Sequence, residues 1–239
     1  MICKNCLIDP ICKIGCDKLD NMIFEDFKDE RIIKRLLNRE KESTFEFGKI
    51  SVHVNKAFIY FFNNGERHRE DGPAVEYANG YKEWHINGKL HREGGPAIEH
   101  VSGNKQWWKN GKRHREGGPA LEDNNGTKEW YKNGKCHREG GPAIEDAKGS
   151  KHWYINGNLH REDGPAIEFT SGNKEWWING TRHREDGPAI EFASGNKEWY
   201  KNGKLHRVDG PAIEYTRGYK EWWLNGKFIT EEVKNKSKI

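Results

Sequence analysis

Seven copies of Gly-Pro-Ala, beginning at Gly72, Gly95, Gly118, Gly141, Gly164, Gly187 and Gly210, stand 23 residues apart along this chain. A fixed period of that length is the signature of stacked repeats, in which each unit buries its apolar side against its neighbours. It constrains the fold more tightly than composition does. It also sorts the residues into two kinds. Whatever recurs in every copy serves first to fold that copy, so only departures from the pattern are candidates for a singular site.

The rest of the period is equally regular. Each unit reads Asn-Gly, two variable residues, His-Arg, an acidic pair or its variant, Gly-Pro-Ala, an aliphatic residue, Glu, a variable stretch ending in Gly, then Lys, Trp and a second aromatic; residues 179–201 give one copy in full. In this register Asn-Gly recurs eight times, from Asn64-Gly65 to Asn225-Gly226, whereas His-Arg recurs seven times, from His68-Arg69 to His206-Arg207, and gives way to Ile229-Thr230. The last copy is therefore a fragment. At the other end, residues 58–62 align with the Lys-Glu-Trp-aromatic strand of later copies, so the array opens on a degenerate half unit near Val52. Atypical ends of this kind are what the caps of a solenoid look like.

With charged and hydrophobic residues at 33% each, the chain sits where disorder has to be considered. Ten Trp, eight Tyr and ten Phe, falling in register, point instead to a thin core shared between stacked repeats. The net charge of +4 is spread so that the repeats themselves are almost neutral, which argues against the basic stripe of a nucleic-acid binder. The short basic tail Lys234-Asn235-Lys236-Ser237-Lys238 reads as a solvated terminus. No apolar run reaches the length of a membrane span and no secretory signal opens the chain, so an intracellular protein with reduced cysteines is expected.

Within one copy, residues 188–192 suit a strand, Ala193-Ser194-Gly195-Asn196 supplies turn residues, and residues 197–201 carry the aromatics of a second strand. Asn-Gly is a strong hairpin signal because both residues tolerate positive φ. Pro, which cannot donate to a ladder, is expected at a strand's first position. The residue before Gly-Pro alternates between Asp71, Gly94, Gly117, Gly140, Asp163, Asp186 and Asp209, a set that reads as shared turn geometry rather than as a working carboxylate. Alternation places Ala189 and Glu191 opposite in face to Ile190 and Phe192, and Lys197 and Trp199 opposite to Glu198 and Tyr200. The expected fold is an all-β repeat array: an elongated, twisted antiparallel sheet of stacked β-hairpins, with no helix inside it. Trp is expected to stack on Trp of neighbouring hairpins, and Glu and Lys columns to form cross-strand pairs worth roughly 0.2 to 1 kcal/mol each.

The pattern Asn-Gly-Lys-x-His-Arg-Glu-Asp-Gly-Pro-Ala-Ile-Glu-Phe-x-x-Gly-Asn-Lys-Glu-Trp resembles the MORN family of short β-hairpin repeats, especially its second variant, over residues 58–228 or so. Similar copies occur in uncharacterised proteins of giant DNA viruses and phages. The usual motif has Tyr-x-Gly ahead of its Trp, and His-Gly where this chain has His-Arg-Glu-Asp-Gly. The resemblance implies an open hairpin sheet used for protein contacts and, in some relatives, for membrane phospholipids. It also implies the cytoplasm of a host cell if the chain is viral.

Ahead of the array, Cys3, Cys6, Cys12 and Cys16 form a Cys-x2-Cys-x5-Cys-x3-Cys cluster. Four thiolates so close can surround one structural zinc ion, with an iron–sulfur cluster or free thiols as the other readings. Residues 20–39 place Ile23, Phe24, Phe27, Ile32, Ile33, Leu36 and Leu37 at mostly helical spacing. The expected organisation is a Cys-rich, helix-containing cap over residues 1–45, the array of about seven repeats over residues 46–228, and a basic tail over residues 229–239.

The seven His-Arg pairs invite an acid-base or metal reading, but equivalent sites repeated along an array make a poor single pocket, and a ladder of hydrogen-bonded turn residues is the simpler account. No phosphate loop, nucleophile elbow or zinc-protease motif is present. Pattern-breakers are Cys136 in a variable slot, His152 where most copies have Glu, Val208 where all others have Glu, and His85 in the second aromatic column. The candidate binding residues are Trp107-Trp108, Trp176-Trp177 and Trp222-Trp223, which form a contact surface where one face is uncovered. The function expected is a non-enzymatic scaffold for protein–protein interaction. The alternatives are a phospholipid- or polyanion-binding module and an enzyme built on a His/Arg/Glu cluster.

Overall fold

A computed structural model describes residues 43–47 and 49–229, which fall into two compact units, one ending at Gly103 and the other beginning at Asn104. The described residues are all β, in short antiparallel strands, and none of them is helical. The N-terminal cysteines, the amphipathic segment of residues 20–39 and the basic tail lie outside them.

The first unit opens with its longest strands. β1 (Ser43–Phe47), β2 (Ile50–Val54) and β3 (Phe58–Asn63) form an antiparallel meander, and β3 continues to β4 (Glu66–Arg67) and β5 (Val75–Tyr77). Alternation is strict here. Val52, Val54, Ile59 and Phe61 are buried on one face, while Phe58, Tyr60 and Phe62 lie on the other. Phe61 occupies the tryptophan position of later copies: its N–H donates to Ala74 and its carbonyl accepts from His68. The half unit near Val52 thus carries a full rung of the ladder.

In the second unit each copy builds two ladders side by side. Ile190–Glu191 pairs backward with Lys174–Glu175 and forward with Lys197–Glu198, and the same exchange repeats as far as Lys220–Glu221. Lys197 stands opposite both Glu191 and Glu214, so the expected Lys–Glu columns are present. The second ladder consists of hairpins such as Tyr200–Lys201 with Lys204–Leu205, closed by Asn202-Gly203. Asn202 has φ 51° and Gly203 φ 76°, the left-handed pair of a two-residue turn whose twist suits the strands it joins. Successive hairpins are tied by Gly226 N–H donating to the Leu205 carbonyl and Arg207 N–H to the Trp223 carbonyl.

Two local expectations are corrected. The second strand is not continuous from 197 to 201: it breaks at Trp199, whose N–H leaves for the Ala212 carbonyl of the next copy. Proline does not open a strand, because pairing starts at Ile190 and Pro188 precedes it by two residues. The alanine between them belongs to the core, since all seven alanines of Gly-Pro-Ala are completely buried. No larger side chain has room there.

Candidate functional site

The side chains with chemical potential gather where one copy meets the next, and the His-Arg pair is at the centre. Asn133, Asn156 and Asn225 each donate their backbone N–H to Nδ1 of the preceding copy's histidine, His114, His137 and His206, at 3.1 Å. An imidazole that accepts at Nδ1 carries its proton on Nε2, and in the first two copies that nitrogen faces Glu116 or Glu139 at 3.7 and 3.5 Å. Val208, 82% exposed, replaces the glutamate in the last full copy, so His206 has no such carboxylate. Each of these histidines is thus a joint between copies.

The neighbouring arginine corrects the expectation of Trp-on-Trp stacking. Arg92, Arg115, Arg138, Arg161, Arg184 and Arg207 lay their guanidinium groups over Trp84, Trp107, Trp130, Trp153, Trp176 and Trp199, with Cζ 3.7 to 4.1 Å from the ring centroid, and Arg69 does the same over Phe61. Such a contact contributes about 0.5 to 2 kcal/mol. Arg184 also donates Nη1–H to the Pro188 carbonyl at 3.2 Å and to Glu191 at 3.0 Å, a pattern kept from Arg92 to Arg207. This explains the glycine of Gly-Pro-Ala. Its φ is ordinary, but a Cβ on Gly187 would lie 2.9 Å from Arg184 Cζ. The residue before it is corrected too. Gly94, Gly117 and Gly140 adopt φ of 74 to 76°, whereas the aspartates do not, and Asp163 and Asp186 instead accept from Arg161 and Arg184 Nε at 2.9 Å.

Next to the arginine-covered rings in sequence runs the second aromatic column, where from His85 onward each ring except Tyr154 is tethered to the residue two positions earlier. Tyr131 and Tyr200 donate their hydroxyls to Glu129 and Glu198, and Trp177 and Trp223 their indole N–H to Glu175 and Glu221. Burial, then the hydrogen bond to Glu129, pushes the Tyr131 hydroxyl up to about 12, so it serves as a donor and not as a base. His85, buried, fills this column in the first unit and bonds Glu83 at 2.8 Å; that bond, with a further one from Tyr81, holds the Glu83 carboxyl below its usual range. His152 replaces the glutamate ahead of Tyr154, leaving that hydroxyl without the acceptor its neighbours have.

The candidate tryptophans therefore divide. Trp107 and Trp176 lie under guanidinium groups, Trp108, Trp177 and Trp223 belong to the tethered column, and Trp222 holds the first aromatic position of the terminal fragment. All six are half-buried. No family model and no curated protein matches the chain. Cys136 sits in the hairpin opposite Tyr131, its thiol pushed up to about 12 by burial and by the charge of Glu129, while His152 pairs with Ile144 and Ile167 in the other ladder. The two pattern-breakers serve different ladders. Among the described residues no group of three or more His, Cys, Asp or Glu is placed to hold a metal ion.

Sequence reasoning missed Gln106. It stands in the column otherwise held by Glu83, Glu129, His152, Glu175, Glu198 and Glu221, and reading that column downward would have found it. It accepts from Trp108 Nε1 at 3.2 Å and from Arg113 Nη2 at 3.3 Å.

Proposed function

We propose that this chain is a non-enzymatic scaffold of MORN-like repeats, of the second variant, whose task is to hold another protein. One observation carries the reading: in the His-Arg pairs, the residues best suited to chemistry, histidines join successive copies and the seven arginines cover aromatic rings, six of them tryptophans. Diversity is left to the hairpin slots between Asn-Gly and His and to the aromatic column beside them. Surfaces that vary over a constant frame are how repeat arrays recognise partners. The resemblance to repeats of giant viruses and phages supports work in the cytoplasm of a host cell if the chain is viral.

The test is reconstitution. A partner cross-linked to the intact chain in cell extract, then purified, should form a defined complex with it in analytical ultracentrifugation. Substrate turnover by the purified chain that vanishes on replacing the histidine of one particular copy would overturn the scaffold reading.

A further inference from the structure

Three copies place arginine in the slot just before His-Arg: Arg67, Arg113 and Arg182. Two of them are neutralised by the glutamate column, Arg67 by Glu83 at 3.4 Å and Arg182 by Glu175 at 3.2 Å. Glu175 is the residue seven positions before Arg182, and in the Arg113 copy that position is Gln106. An amide supplies the acceptor oxygen but not the charge. The nearest carboxylate, Glu129, stands 4.0 Å away and already accepts from Tyr131, while the Nε–H of Arg113 is buried with no hydrogen-bond partner.

Beside this arginine lies an open groove of about 460 Å³ lined by Trp108, Lys112, Arg113, Tyr131 and Lys135 with turn backbone. Its lining holds three cations and no carboxylate. The guanidinium carbon is 5.4 Å from both ring centroids, so two aromatic walls reduce its access to water and strengthen its pull on an anion. Around Arg182 the balance differs, because Glu175 is present and Thr181 stands where Lys112 does.

We propose that this groove receives the carboxylate of an acidic segment of a partner protein, which supplies from the open side of Arg113 the charge that Gln106 lacks, with Lys112 and Lys135 at its sides. The assignment rests on the scaffold reading and names the partner's chemistry. A carboxylate fits because the array itself balances the equivalent arginine, Arg182, with one, Glu175.

A fluorescein-labelled oligoglutamate, titrated into the intact chain and followed by anisotropy, should bind more tightly than oligoglutamine and weaken as salt is raised. The variant Gln106→Glu supplies the missing charge from within and keeps both acceptor contacts, as Glu175 does, so its circular dichroism should match the wild type while its affinity falls by about tenfold or more. Lys112→Gln should lose less. Equal binding of oligoglutamate and oligoglutamine, or unchanged affinity in Gln106→Glu, would overturn the site. Gln106-sensitive binding to phosphatidylserine vesicles without oligoglutamate binding would overturn the partner class. A reconstituted partner held equally by wild type and Gln106→Glu would leave the scaffold standing and remove only this groove.

Discussion

Within the second unit, Arg115 and Arg138 cover their tryptophans with one carboxylate each, Glu122 and Glu145, whereas Arg161, Arg184 and Arg207 hold two, because an aspartate replaces glycine two residues on. The arginine side chains of the glycine copies are 30 to 31% exposed and those of the aspartate copies 21 to 23%. Both kinds keep the same stack, the same proline contact and the same register. The turn therefore has two solutions, a left-handed glycine or an ordinary backbone with a carboxylate clamp, and the arginine is the element they share. The aspartates are themselves 84 to 85% exposed, so the second carboxylate adds little to stability.

The sharpest way to break this comparison is to crowd the arginine in both kinds of copy. Gly187→Ala and Gly141→Ala would bring Cβ to 2.9 and 3.1 Å of the guanidinium carbon, and displacing the arginine from its ring should lower stability by about 1 to 2 kcal/mol in denaturant unfolding of the intact chain, more at Gly187 than at Gly141. A tolerated alanine in either copy would mean that the arginine does not set the glycine. The preceding position should then separate the two kinds. Gly140→Ala forces a side chain into φ 74° and should cost about 1 kcal/mol, while Asp186→Ala should leave the unfolding midpoint within error. Equal losses at the two sites would return the column to one shared geometry.

The smallest effect is electrostatic. The Arg184 hydrogen bond, then its charge, holds the Asp186 carboxyl below the usual aspartate range. A lowered folded value means that the contribution is present above the unfolded value and is lost as pH falls through the folded one. A carboxyl titration by NMR should place Asp186 below a free aspartate, and Arg184→Gln should return it to the ordinary range. No change on removing Arg184 would leave the clamp without electrostatic content.

What the sequence discloses here is what neighbours along the chain decide. Asn-Gly announces its turn because both residues must take positive φ, and alternation announces the faces, so the hairpins and the Lys–Glu ladder are legible beforehand. Contacts made across a hairpin are not. Trp176 and Arg184 lie eight residues apart in no simple periodicity, and nothing local says that a guanidinium will cover the indole. For the same reason Gly187 reads as a turn residue when its cause is space, and Asp186 reads as a glycine substitute when it is an arginine partner. Of the candidate tryptophans, only Trp108 lines the groove described here, and its companions there, Lys112, Arg113 and Lys135, come from slots that vary between copies.

The ladder of residues 174 to 214 also bears on how such a gene can change. Lys174 meets Glu191 across the strand pair, and Lys197, one copy on, meets Glu214 in the same way. If recombination deleted residues 179–201, Lys174 would meet Glu214 with the same side chains on each face and an Asn-Gly turn still following the aromatics. Loss or gain of one whole copy is thus a silent event for local folding, while the order of hairpin slots is rewritten at once. Array length becomes a heritable variable on which selection can act without first repairing a core.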